Sequence, residues 1–304
     1  MGADKVEYIF QNGEFVRYSD AKIHVMSPAV RYGALVFEGI RGYWNEDKQQ
    51  LYLFKLREHL KRLQTSMKLM RFEESIDIAD LERWTLALVR KNKMKQGLHI
   101  RPQVYLDGEV GGVGSRKPIG VAIIAQPMGN FLNEDGIVNA MVSSWRRLDD
   151  DVMPTRIKCA ANYQNARLAL IEASMHGYDT TIMLNKNGKV AEEARACLFI
   201  IRDGVPITPP VTAGILESIT RKTVLQLCSS ELGMNPVERD IDRTELYIAD
   251  EAFFCGSGAE ITPIKSIDGI FLKEMKITSK IKKCYLDIVN GANEKYDHWV
   301  TGVY

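Results

Sequence analysis

Met153-Pro154-Thr155-Arg156-Ile157-Lys158-Cys159-Ala160-Ala161-Asn162-Tyr163 sets one lysine in a frame of apolar and small residues, with a tyrosine five positions on. Burial disfavours the ammonium form, and a lysine held as the free amine can attack an aldehyde and keep it as a Schiff base. A lysine without such a frame carries no message: the chain has 40 lysines and arginines, and residues of that kind sit almost entirely in water. The frame singles out Lys158.

Outward from this stretch the periodicity changes with each segment. A helix is expected beyond Asn162, then strands over Thr180–Leu184 and Cys197–Arg202, then a helix over 218–232 that ends at Gly233, a residue suited to a C-terminal cap. Towards the N-terminus, strands over 7–12 and 14–17 separated at Asn12-Gly13 read as a hairpin. Leu56–Leu69, with apolar residues at 56, 60, 63 and 69, reads as an amphipathic helix, and 80–93 as a second one with Leu81, Trp84, Leu86, Leu88 and Val89 on its buried side. Strands follow over Leu98–Leu106, 119–125 and 138–144.

The run Gln126-Pro127-Met128-Gly129-Asn130-Phe131-Leu132-Asn133-Glu134-Asp135-Gly136 breaks every period and reads as a linker. It would separate a small N-terminal domain, 1–125, from a larger C-terminal one, 137–304. With 304 residues, 45% of them hydrophobic and 26% charged, the chain can bury a sizeable core in each. A net charge of +1 with Lys and Arg spread along the chain leaves no electrostatic footprint for nucleic acid or an anionic membrane. The lysines between Lys273 and Lys283 read as the wet face of the last helix. Five cysteines, an odd number with no Cys-x-x-Cys pair, argue against a disulfide framework and a zinc site and for a reducing compartment. The five histidines are scattered, so no metal is implied. No leader and no apolar run of about 18 residues stands in the sequence, which places the protein in the cytosol as an expectation. The glycines of Gly108-Glu109-Val110-Gly111-Gly112-Val113-Gly114 have the wrong spacing for a dinucleotide loop, and a strand follows them where a helix is required.

The lysine stretch resembles the cofactor-lysine motif of the class IV pyridoxal-phosphate aminotransferases. Other pieces match the branched-chain members of that family in order and at similar spacing, from Tyr8-Ile9-Phe10-Gln11-Asn12-Gly13 to Gly256-Ser257-Gly258-Ala259-Glu260-Ile261-Thr262-Pro263. Val36-Phe37-Glu38-Gly39-Ile40-Arg41-Gly42-Tyr43 lies between them. The resemblance implies a mixed α+β fold of type IV, with a small N-terminal α+β domain, a larger domain on a β-barrel-like core, and the cofactor pyridoxal 5′-phosphate between them. Lys158 would carry the Schiff base and move the proton. Glu192 would pair with the ring nitrogen and Tyr163 with the ring oxygen. The phosphate would fall to Arg62, to Leu216, Ile219 and Thr220 at a helix start, and to Gly256 and Ser257. Tyr32, Phe37, Arg41, His99, Arg101, Ser257 and Gly258 would line the substrate pocket, Arg101 taking the second carboxylate of glutamate. The implied reaction is ping-pong amino transfer from Leu, Ile or Val to 2-oxoglutarate. The implied assembly is a homodimer or larger homo-oligomer, with 108–114 as a loop lent to the partner.

Several positions depart from the branched-chain pattern. His99 stands where a phenol is common, Glu193 and Arg195 are unexpected after Glu192, Glu217-Ser218 replaces a Pro-Gly type pair, and Met128 and Phe131 stand where bulkier or phenolic residues are frequent. These changes keep open a class IV transaminase accepting (R)-primary amines or D-amino acids. A pyridoxal-phosphate lyase of the aminodeoxychorismate type is the third reading, and Phe37 with Arg41 weigh against it.

Overall fold

Asn12 and Gly13 both adopt positive φ, 48° and 97°, and turn strand β1 (Tyr8–Gln11) into β2 (Glu14–Arg17), as a two-residue hairpin turn requires. The structure is a computed structural model that describes residues 6–109, 111–129 and 136–304. Its described residues divide into two units. One holds those up to Gly129 together with Ile157–Ala161 and Ile288–Tyr304; the other holds those up to Arg156 together with Asn162–Asp287. Residues 130–135 of the expected linker lie outside the described residues.

The first unit continues with α1 (Pro28–Tyr32), β3 (Leu35–Phe37), β4 (Ile40–Asn45), β5 (Gln50–Phe54), α2 (Leu56–Leu69), α3 (Ile78–Lys91), β6 (Leu98–Leu106) and β7 (Ile119–Pro127). Its sheet is antiparallel throughout, in the order Val300–Gly302, β5, β4, β6, β7, β1, β2, with β3 also on β6. The stretch 157–161 joins β3: Phe37 N–H donates to Lys158 O at 3.0 Å and Ala160 N–H to Leu35 O at 2.9 Å. α2 covers the expected residues, and Leu56, His59, Leu60, Leu63, Ser66 and Met67 form its buried face. Leu69, expected on that face, is 43% exposed, because a turn of about 100° per residue carries position 69 to the opposite side. α3 starts earlier than its pattern suggested, capped by Asp77, whose carboxylate accepts from Ala79 N–H at 2.8 Å. Thr85 is buried there, while Trp84 and Leu86 are only half-buried, Trp84 stacking on Phe10 at 4.6 Å.

The second unit carries β8 (Val138–Arg146), α4 (Asn162–Met175), β9 (Thr180–Leu184), β10 (Val190–Glu193), β11 (Cys197–Arg202), β12 (Val205–Thr208), α5 (Ile219–Ser230), β13 (Val237–Glu238), β14 (Glu251–Gly256), β15 (Glu260–Ile267), β16 (Ile270–Phe271) and α6 (Lys276–Val289). Its mixed sheet runs β10, β9, β8, β15, β14, β11, β12, β13, with β16 on β15, and forms an open half-barrel. β8 is parallel to β9 and β15, a pairing that needs crossover connections such as α4. β14 is buried at every residue, and β11 at all but its last, so neither shows the alternation of a one-sided strand. Val138, Val142, Ile182, Leu198, Ile200, Phe254 and Ile264 belong to the apolar cluster that this sheet encloses. α5 ends at Ser230, and the left-handed Gly233 expected to stop it has φ 61°, with Met234 N–H returning to Cys228 O at 2.8 Å.

Candidate active site

In the first unit the reactive stretch is held by its backbone. Besides the β3 bonds, Lys158 N–H donates to Ser66 Oγ on α2 at 3.3 Å. Ile157 and Cys159 are buried and Lys158 between them is half-buried, so the apolar frame exists. Lys158 Nζ lies 5.0 Å from the centre of the Phe37 ring, and the Arg101 guanidinium lies 3.8 Å from the same ring. Phe37 therefore has both the amine and the candidate carboxylate receptor beside its ring.

His99 shares a face of β6 with Arg101, two residues on, and stands opposite Arg41 in the β4–β6 register. Its ring packs on Gly39, where a Cβ would lie 2.8 Å from Nε2, so glycine is needed to admit it. Burial, then the charges of Lys158, Arg101, Arg41 and His59, bring the His99 pKa down to about 4. At neutral pH the phenol common at this position is thus replaced by an uncharged imidazole with one donor and one acceptor. Arg41 is buried and donates from Nη2 to Gly129 O at 2.9 Å. Tyr32 lies at the exposed end of α1 with its ring under Arg31, and is not among the residues that meet at Phe37.

Glu38 is a buried carboxylate to which the sequence pattern assigned no role. It accepts from Arg62 Nε at 2.7 Å and Nη2 at 2.8 Å, with His59 Nδ1 at 2.6 Å. Burial alone would raise its pKa, but Arg62 and then His59 outweigh that and hold it far below the usual carboxylate range. His59 itself is pushed down by burial against the pull of Glu38. Arg62, the expected phosphate ligand, is thereby fixed in orientation by a fork-to-fork pair. His59 and Arg62 sit three apart on one face of α2, a spacing visible in the sequence; what was not visible is that Glu38 faces them.

In the second unit Glu192 ends its side chain among donors. Arg147 Nε is 2.8 Å from Oε1, Leu216 N–H donates to Oε2 at 3.2 Å, and Cys197 Sγ lies 3.9 Å from Oε2. Arg147 was not anticipated, and Leu216, expected at the phosphate, spends its N–H on Glu192. Tyr163 is half-buried in the first turn of α4, which Asn162 ties down by donating to Pro154 O at 2.9 Å. Ser218 caps α5 by accepting from Arg221 N–H at 3.2 Å, so Ile219 and Thr220 begin the helix with N–H groups that have no intrahelical acceptor. Ser257 and Gly258 lie in the turn between β14 and β15, next to Gly256, which packs at 3.5 Å from Ala196 Cβ by way of its would-be Cβ. The unexpected Glu193 is fully buried and accepts from Thr180, from Arg195 N–H and from the Arg195 guanidinium, so it serves the strand turn.

The first unit supplies an amine in an apolar frame, and the second, by itself, a buried carboxylate with its own cation, a phenol, a capped helix start and a glycine turn, groups of the kinds that pyridoxal phosphate needs from a protein. Among the described residues no group of three His, Cys, Asp or Glu is placed to hold a metal ion, and no helix is long and apolar enough to cross a membrane.

The fold is that of an enzyme of pyridoxal-phosphate chemistry, and the family model for amino-transferase class IV matches residues 35–267. The chain belongs to the class IV aminotransferases: it is a transaminase, and its cofactor is pyridoxal 5′-phosphate. It is similar to the branched-chain-amino-acid aminotransferase of Salmonella typhimurium, 40% identical over 100% of this chain and 99% of that one. Among solved structures it resembles the branched-chain aminotransferase of Thermoproteus uzoniensis with norvaline, at TM-score 0.94 and 43% identity, covering 98% and 99% of the two chains. The PLP-form of the Thermobaculum terrenum branched-chain amino acid aminotransferase matches at TM-score 0.93 and 41% identity, over 99% of each chain.

Proposed function

We propose that this transaminase moves the amino group of a branched-chain L-amino acid, Leu, Ile or Val, to 2-oxoglutarate in two stages, one product leaving before the second substrate enters. The observation that carries this reading is the Phe37 surface, with Lys158 Nζ at 5.0 Å and the Arg101 guanidinium at 3.8 Å. An aromatic wall beside the amine suits an aliphatic side chain, and the guanidinium suits the second carboxylate of glutamate. The branched-chain aminotransferase activity by which relatives at 40–43% identity are named supports it.

Bound cofactor supplies a carbonyl for the exchange of amines and an electron-withdrawing ring that takes up charge as the substrate Cα–H bond breaks. The chain's own groups do the rest. Lys158 Nζ anchors the cofactor and, once displaced, takes and returns the proton. Glu192 would pair with the ring nitrogen and Tyr163 with the ring oxygen. Arg62, the N–H groups of Ile219 and Thr220, and Ser257 beside Gly256 would hold the phosphate. Phe37, Arg41, His99, Arg101 and Gly258 shape the substrate side, with Tyr32 completing it in a homodimer or larger assembly. The proposed compartment is the cytoplasm.

His99 favours a second reading, a transaminase of (R)-primary amines or D-amino acids, because an uncharged imidazole changes how a substrate carboxylate is met. A donor panel on cofactor-loaded protein with 2-oxoglutarate separates the two. The first reading expects L-leucine or L-valine to dominate, and no turnover of either would sink it. The second expects (R)-1-phenylethylamine or D-alanine to dominate; equal or absent turnover of both mirror-image amines would exclude it.

A further inference from the structure

Arg147 is a buried cation beside Glu192, and the proposed function gives the carboxylate a task but the arginine none. We propose that Arg147 is a positioning residue that sets the charge of this pair: it holds Glu192 as the anion, so that the proton between Glu192 and the cofactor's ring nitrogen stays on the nitrogen. This rests on Glu192 being the ring-nitrogen partner.

The argument is one of charge in a dry place. Both side chains are almost wholly buried, 9% and 7% exposed. A carboxylate facing a protonated pyridine in such an interior would relax to a neutral pair by taking the proton, since burial penalises both charges. Arg147 reverses that preference. Its guanidinium does not lose its proton, and neutralising Glu192 would strand a buried cation at 2.8 Å with no counter-charge. The Nε–H is not aligned on Oε1 despite the short separation, so the contact acts through charge more than through a directed hydrogen bond. The Leu216 N–H and the Cys197 thiol on Oε2 work in the same direction, because donors to a carboxylate favour its anion. The arginine cannot easily swing away. It follows directly on β8, with its N–H bonded to Leu184 O at 2.8 Å at the end of β9. The next carbonyl, Leu148 O, is 3.2 Å from where a Cβ on Gly214 would stand, so the chain fits closely there.

The test reads the nitrogen itself. Protein loaded with pyridoxal phosphate labelled with 15N in the ring is followed by 15N NMR, for the native chain and for Arg147→Met, Arg147→Gln and Arg147→Lys. The native chain and Arg147→Lys should give the signal of a protonated ring nitrogen. Arg147→Met and Arg147→Gln should move it to the unprotonated range and lower kcat more than they change KM. Two neutral variants are used so that a folding failure in one leaves the other to decide. An unchanged signal in a loaded neutral variant overturns the proposal, as does Arg147→Lys shifting as far as Arg147→Met, or a native chain whose bound ring nitrogen is already unprotonated. A native chain that takes up no cofactor would overturn the proposed function instead.

Discussion

Gly39 leaves room for His99, and burial first, then the charges of Lys158, Arg101 and Arg41, make its protonation costly. That cost gives the residue a signature in stability. Its pKa is about 4 in the folded chain against an ordinary 6.5, so between these values the unfolded chain binds a proton that the folded chain refuses. Stability from this residue is therefore full above pH 6.5 and drains away as the pH falls toward 4, by up to about 3 kcal/mol. Lys158 is the first charge acting on the imidazole after burial, so the comparison belongs on cofactor-free protein, where that amine is intact. Urea unfolding of the native chain and of His99→Gln should show the native chain losing ground to the variant across this window. Parallel pH profiles would mean that His99 titrates as an ordinary surface histidine. Glu38 is the counterpart on the acidic side, a buried anion kept by two α2 residues, and breaking such a cluster by removing one member typically costs about 3–5 kcal/mol.

At the scale of elements, α5 shows how a sequence signal becomes a capped helix start. Glu217-Ser218 replaces the Pro-Gly type pair usual in the family before this helix, and the Ser218 hydroxyl supplies the cap by accepting from Arg221 N–H. Ser218→Ala should lower the unfolding free energy by about 1 kcal/mol, read from the urea midpoint at constant slope. No change in midpoint would show that the helix start is held by something other than its cap. Leu56–Leu69, Leu98–Leu106, Thr180–Leu184 and Cys197–Arg202 were all readable because their own periodicity or β-branched content decides them. β4 and β14 were not read as strands, since buried strands flanked by glycines offer no alternation to follow. Among the candidate site residues the lysine frame announces itself locally, whereas Arg101 was singled out only by its match to the family. Glu38 and Arg147 do not announce themselves, because each is defined by a partner distant in sequence: His59 and Arg62 lie 21 and 24 positions from Glu38.

For the whole molecule, the exposed face of the first unit is where the proposed assembly can be tested. Val25, Met26, Val30, Tyr32 and Val113 are exposed there, Val25 at 71%, Val30 at 56% and Val113 at 82%. They belong to one surface because the loop after Val110 lies on α1: a Cβ on Gly111 would clash with Pro28, and Arg31 donates to Gly111 O at 3.1 Å. Val110 itself lies outside the described residues. Scattered exposed valines need no explanation, but several on one loop and one helix suit a surface that the proposed assembly would cover. A second copy of the chain is the occupant proposed here, since the resemblance implies a homodimer at least and Tyr32 stands in this surface while the substrate residues gather at Phe37. Val30→Glu combined with Val113→Glu leaves the core untouched and places charge where the partner would pack. Light scattering on the native chain should give a mass of two chains or more, and on the double variant the mass of one, with loss of turnover if Tyr32 serves the partner's substrate pocket. A native chain that is monomeric at working concentration would overturn the proposed assembly, and a double variant of unchanged mass would place its surface elsewhere.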